Sequence, residues 1–339
     1  MSSTTVLVLG ATGFVGRHVL AALRDAQVRV IAGCREPARL DPSFRGEVRA
    51  GDLLDPEYRV RVFEGVDVVC YAAAWSALYG HAEASRARYL EPGLACIDAA
   101  VAAGVERFVL TSALNVRGVS RSRFRGIREG LPATWPHLAN VIALEAHMQA
   151  RAGTTRMVAL RFGHFSGVGG GLGIMPVLLP RLRARLVPWL ERGAVPLPLV
   201  DGADIGQAFL RAALAEGLEP WQAIDVVGPE VPTFREVLRL LHDVYGLPQP
   251  WFSVSLDTAF RFAHGAELVA RLSGRAPLLT RSIVFLSEPL TPDPLGAARI
   301  GYAPRVPWSA SVRGQVNELL EARRPARLVD ALPAPGGAG

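Results

Sequence analysis

Along the first half of the chain, short apolar runs alternate with longer segments whose apolar positions recur at helical spacing. Residues 6–9, 28–32, 48–50, 66–71, 107–111 and 157–161 read as strands. Between them, residues 15–24, 56–64, 82–103 and 136–152 read as helices, with Gly104 stopping the third. Strands and helices in this rhythm predict an α/β fold in which a doubly wound parallel sheet is covered by helices.

Beyond Arg161 the texture changes to a glycine-rich loop at 163–173, followed by Pro- and Leu-rich helices and short strands up to about Ala322. The expected division is a nucleotide-binding Rossmann domain at 1–162 plus about 199–228, and a smaller substrate lobe at 163–198 and 229–322. Trp189, Trp221, Trp251 and Phe252 in this half are consistent with an apolar pocket and a largely apolar small-molecule substrate. The tail at 325–339, rich in Pro, Ala and Gly, reads as disordered. The longest apolar stretch, 172–190, is interrupted by Arg181, Arg183, Arg185 and prolines, which excludes a membrane span there. Met1 to Thr5 show no basic region or cleavage motif, so a cytoplasmic protein is expected.

The formal net charge of +6 is carried entirely by arginine, because the chain contains no lysine. A basic surface suits anionic partners such as nucleotides, coenzyme A or an acyl carrier protein. No basic helix or aromatic ladder of a nucleic-acid-binding module accompanies it, so nucleic acid is not expected. Cys34, Cys70 and Cys96 are far apart and form no metal-ligand spacing, so they read as reduced core thiols.

One segment carries specific chemistry. Gly10, Ala11, Thr12, Gly13, Phe14, Val15 and Gly16 lie between the first strand and a helix of apolar period. The first two glycines admit a pyrophosphate to the backbone, the third lets the helix pack on the sheet, and the helix N-terminus faces the phosphates. After the second strand, where NAD enzymes present an acid to the ribose hydroxyls, this chain has Arg35. Arginine suits a ribose 2′-phosphate, so NADP is favoured, with NAD as the alternative because Glu36 follows. His18 reads as a surface or packing residue.

These residues resemble the extended short-chain dehydrogenase/reductase superfamily, in its epimerase/dehydratase and 3β-hydroxysteroid dehydrogenase-like branch. The segment Gly51-Asp52-Leu53-Leu54-Asp55 is similar to the one in which the family flanks adenine with Asp and Leu, here Asp52 and Leu53. Tyr71-Ala72-Ala73-Ala74 is similar to the alanine motif lining the cofactor, and Thr111 closes a segment that matches the fifth strand. Leu160 to Gly167 and Leu199 to Ile205 resemble later family segments, so the likeness covers about residues 4 to 322. It implies homodimerisation through the helices at 82–103 and 136–152.

The same resemblance implies a tyrosine that exchanges a proton, a lysine four residues on that lowers its pKa, a serine that orients the carbonyl and an asparagine in a relay. Aligned on Glu145, the tyrosine position holds His137 and the lysine position Val141; the serine position holds Ala113, beside Ser112, and the asparagine position Leu90. No tyrosine lies between the fifth and sixth strands and lysine is absent altogether, so no change of register restores the pair. Schiff-base chemistry through lysine is excluded as well.

Three groups remain as candidate chemistry. His137 could exchange a proton where the phenol normally does, or simply start a helix after Trp135-Pro136. His164 would lie on the nicotinamide side by resemblance, and Ser112 could donate a hydrogen bond to a carbonyl although no base neighbours it in sequence. A loop at 117–128 with five arginines fits either phosphate recognition or a solvated surface. The expectations are thus a reductase or isomerase without the family's relay, a non-redox cyclase, isomerase or lyase with a vestigial nucleotide, or a nucleotide sensor or scaffold.

Overall fold

The computed structural model describes residues 4–169 and 173–322. Its strands, numbered along the chain, are β1 (Thr5–Leu9), β2 (Arg29–Cys34), β3 (Glu47–Ala50), β4 (Val68–Tyr71), β5 (Arg107–Ala113), β6 (Arg156–Phe162), β7 (His164–Ser166), β8 (Trp189–Leu190), β9 (Leu199–Asp201), β10 (Trp221–Val226) and β11 (Ser253–Val254). Seven of them form one sheet in the order β10-β6-β5-β4-β1-β2-β3, with every pairing parallel. The predicted doubly wound sheet is therefore the structure's frame. Two short parallel pairs, β7 with β9 and β8 with β11, lie outside it.

The sheet's near-continuous apolar strands feed two separate cores. Successive side chains of a strand point to opposite faces, so Leu7 and Leu9 of β1 join Phe108 and Leu144 on one side. Val6 and Val8 join Val15, Val19 and Phe209 on the other. A third cluster, around Met175, Leu179, Leu197, Leu238 and Val316, is built without the sheet, from residues after β7.

Two features depart from the sequence reading in detail. The helix expected at 82–103 is interrupted: helix Ala82–Ser85 passes through a π-helical turn, Arg86–Leu90, into helix Glu91–Ala102. A π turn admits one extra residue and is often found at functional sites. The seventh sheet strand, β10, was not individually legible because its apolar run contains Asp225; that carboxylate is buried and satisfied by Arg117 and by the Asp293 backbone N–H. The tail at 325–339 lies outside the described residues, as does part of the loop at 163–173. No helix among the described residues is long and apolar enough to cross a membrane.

Candidate active site

The glycine turn sits at the C-terminal end of β1, where the Gly10 and Ala11 N–H groups donate to the Gly33 carbonyl at 3.1 and 3.2 Å. Gly10 has φ +77°, and a Cβ there would lie 2.6 Å from the Ala73 backbone nitrogen. A Cβ on Gly16 would meet the Gly10 carbonyl oxygen at 2.2 Å. Only glycine therefore permits the turn and the close seating of helix Phe14–Leu23 on it. That helix opens at Gly13 with no side-chain cap and no acidic residue in its first turn. Its N-terminal N–H groups and dipole are left for an anion, and the backbone cradle fits a dinucleotide pyrophosphate.

Around the turn stand the other residues expected on the cofactor side. Arg35, directly after β2, is 70% exposed and lies 4.0 Å from the Asp52 carboxylate. Glu36, the residue that left NAD as an alternative, pairs instead with Arg39 at 3.6 Å. Asp52 accepts from the Leu54 N–H at 3.0 Å, which shapes the turn carrying Leu53. Ala72 is tied to β1 through the Leu9 carbonyl at 2.9 Å, Ala73 lies against Gly10, and the Thr111 hydroxyl donates to the Tyr71 carbonyl at 3.1 Å. Thr111 thus braces β4 against β5. His18 packs on Phe14, with ring centroids 4.9 Å apart, and its Nε2 meets the Val168 carbonyl at 3.1 Å, a packing role.

The remaining candidate groups are carried by helix Pro136–Arg151 and by β5 and β6. Ser112 and Arg161 are register partners on these strands, so both point to the same face and meet Glu145 on the helix. The Ser112 hydroxyl donates to Glu145 Oε1 at 2.5 Å, and Arg161 forks onto the same carboxylate, with Nε 3.0 Å from Oε1 and Nη2 2.5 Å from Oε2. Ser112 therefore does have a neighbouring carboxylate, brought across 33 residues by the fold, and its proton is already committed to it. With its hydrogen directed to Glu145, the Ser112 hydroxyl oxygen is left to accept a hydrogen bond.

His137 lies in the first turn of helix Pro136–Arg151, and its Nδ1 is buried with no hydrogen-bond partner. Burial lowers its pKa to about 4, so the ring is the neutral imidazole at physiological pH, with one N–H and one acceptor nitrogen. Val141, one turn further along, is buried and brings no charge to it. The ring packs on Tyr89, with centroids 4.8 Å apart. Tyr89 belongs to the π turn; burial, with a smaller contribution from Glu145, raises its phenol above the ordinary range. Tyr89 arrives from the helix before β5 and not from the segment between β5 and β6. Its only trace in the sequence is its place beside Leu90, at the family's asparagine position.

His164, on β7, is half-buried, and desolvation lowers its pKa to about 4, with the Leu286 backbone partly opposing the shift. No hydrogen bond or ring contact among the described residues joins it to His137. The arginine loop is largely committed to the protein itself. Arg117 pairs with Asp225, Arg123 with Asp257 at 3.4 Å, Arg125 with Glu129 at 2.6 Å, and Arg128 donates to the Ser122 carbonyl. The three cysteines are buried and free.

Residues 10–163 match the family of NAD(P)H-binding domains. A 3 beta-hydroxysteroid dehydrogenase/Delta 5→4-isomerase of Mycobacterium tuberculosis is 27% identical over 290 residues, covering 72% of this chain and 78% of that protein. Among solved structures, the UDP-glucose 4-epimerase of Thermotoga maritima with UDP-glucose superposes with TM-score 0.69 at 16% identity, over 94% of this chain and 99% of that one. The UDP-glucose 4-epimerase of Thermus thermophilus in complex with NAD gives 0.66 at 20% identity, over 94% and 100%. These likenesses agree with the strand order and the glycine turn: residues 10–163 form an NAD(P)H-binding domain, the chain is similar to a 3 beta-hydroxysteroid dehydrogenase/Delta 5→4-isomerase, and it shares its fold with the UDP-glucose 4-epimerases.

Proposed function

We propose that this chain binds NADP at the glycine turn and reduces or isomerises a largely apolar small molecule, using groups other than a tyrosine–lysine relay. The observation that carries the reading is the contrast at one cleft: a cradle that only glycine permits on one side, and on the other a chain with no lysine at all. The exposed Arg35, with Glu36 turned to Arg39, supports NADP over NAD.

When bound, the dinucleotide supplies or accepts a hydride. The protein's part is to orient the substrate with neutral groups. Tyr89 keeps its proton and can donate a hydrogen bond, Ser112 can accept one from a substrate hydroxyl, and the neutral His137 ring can take a proton at its acceptor nitrogen. We place His164 on the substrate side. A site without an acid suits an activated alkene or iminium, whose reduction needs only a proton from solvent. A substrate carried on coenzyme A or an acyl carrier protein draws no support from the arginine loop, four of whose five guanidinium groups already hold protein partners. A homodimer through the helices preceding β5 and β6 completes this reading.

The unpartnered Nδ1 of His137 favours one second reading, a non-redox isomerisation in which a neutral imidazole moves a proton between two atoms of the substrate. Assaying candidate apolar substrates separates the two. Loss of NADPH absorbance in step with product supports reduction, and product formation that persists after exhaustive nucleotide removal supports isomerisation. Activity that survives His137→Phe and Tyr89→Phe together would remove both residues from either scheme.

A further inference from the structure

Helix Leu256–Ser273 is apolar on two opposite sides. Its inner side buries Leu256, Ala259, Ala263 and Ala270 against the protein. Its outer side exposes Phe262 (54%), Val269 (64%) and Leu272 (91%), with Leu268 beside them. Residues 262, 265, 269 and 272 follow the three-and-four spacing of one helical face, so these side chains form a stripe along the helix. Gly265 and Ala266 complete it without a polar side chain. A helix apolar on both sides calls for a second covering.

The charges around the stripe say what covers it. Arg261, Arg271 and Arg275 are exposed along and beyond it, while the only acid between residues 258 and 287 is Glu267. Glu267 is buried and bonded to Arg281 at 2.8 Å, so it offers nothing to a partner. A second copy related by a two-fold axis would bring this arginine-rich face against its own image, and the helix's one exposed carboxylate, Asp257, is already paired with Arg123 at 3.4 Å. An anionic lipid surface answers both features at once, by burying the apolar stripe and neutralising the arginines. The segment leading into the helix adds Trp251, which is 77% exposed, and tryptophan is favoured at the membrane–water boundary.

We propose that the outer face of helix Leu256–Ser273 is a peripheral docking surface for anionic membranes. The same helix accepts a hydrogen bond from Tyr79 at its Glu267 carbonyl, and its inner side shares a core with Trp135, two residues before His137. Docking would thereby bring the cleft to the bilayer. Delivery of an apolar substrate from lipid rests on the reading of the site given above, whereas the docking itself does not.

The test is co-sedimentation of the full chain with vesicles of phosphatidylcholine alone and vesicles containing about one part in three phosphatidylserine. Wild-type protein is expected to partition to the anionic vesicles on the order of tenfold more than to the neutral ones, and less as salt rises. The double variants Val269→Glu/Leu272→Glu and Arg261→Glu/Arg271→Glu should each lower that partition on the order of tenfold. Leu295→Glu, at another exposed position, should leave it unchanged. Circular-dichroism melting checks that all variants fold. Equal partition of wild type and both double variants, or no binding of wild type to anionic vesicles, would overturn the proposal. So would a concentration-dependent mass by light scattering that Val269→Glu/Leu272→Glu abolishes, because a second copy would then cover the stripe. None of these readouts requires the nucleotide to bind.

Discussion

In the proposed site, the two regions differ in which part of the chain would do the binding. At the glycine turn the backbone does it: side chains are absent at Gly10 and Gly16 because there is no room for them, and the N-terminus of helix Phe14–Leu23 is left bare. In the proposed function the work across from it would fall to side chains, and these differ from a tyrosine–lysine pair because the chain has no lysine. A carboxylate, Glu145, holds Ser112 and Arg161, and a π turn brings Tyr89 against a neutral His137. A backbone cradle tolerates no substitution at its tight points, so it stays recognisable. A side-chain constellation can be rebuilt on the same scaffold, and the fold then no longer dictates the reaction.

The strongest way to break this comparison is at Glu145. Its loss in Glu145→Ala would leave the Arg161 guanidinium, 19% exposed, without its partner and Ser112 without its acceptor. The expected cost is about 3–5 kcal/mol of folding stability, read by urea denaturation. A change under about 1 kcal/mol would mean that the pair is screened by solvent and does not organise this side of the cleft. On the opposite side, Gly16→Val drives a side chain into the Gly10 carbonyl, and nucleotide affinity should fall by about a hundredfold or more, close to 3 kcal/mol. Fluorescence titration with NADPH would show it.

How much of this could be read from the chain follows the same division. The glycine turn, Arg35 and the first six strands are local patterns, visible in a few consecutive residues. The link from Ser112 to Glu145 crosses 33 residues and depends on β5 and β6 pairing in register, which no spacing rule shows. Tyr89 was hidden by the π turn, because a one-residue change in winding rotates every later side chain around the helix. Asp225, exceptional in a buried strand, masked β10 until its partners Arg117 and Asp293 came into view. The histidines were identified by position, but their titration depends on burial, a property of the fold.

That burial sets a pH window. His137 and His164 sit near 4 when folded, below the ordinary value of 6.5 that an unfolded chain restores. Between these values the unfolded state binds more protons, so their contribution to stability is present above about pH 6.5 and is lost as pH falls toward about 4. Thermal melts from pH 7.5 down to about 4 should show a falling Tm, with a shallower slope in His137→Phe. An unchanged slope would mean that the ring is solvated and able to serve as an acid near neutrality.

The smallest expected effect bears most directly on the central claim, that an intact NADP site has been kept beside a rebuilt set of chemical groups. NADPH and NADH are titrated into wild-type protein and Arg35→Ala. Wild type should prefer NADPH by about tenfold, the scale of one charge-assisted contact to phosphate, and Arg35→Ala should lose the preference while still binding NADH. Failure of wild type to bind either nucleotide, or a preference that survives Arg35→Ala, would contradict the account.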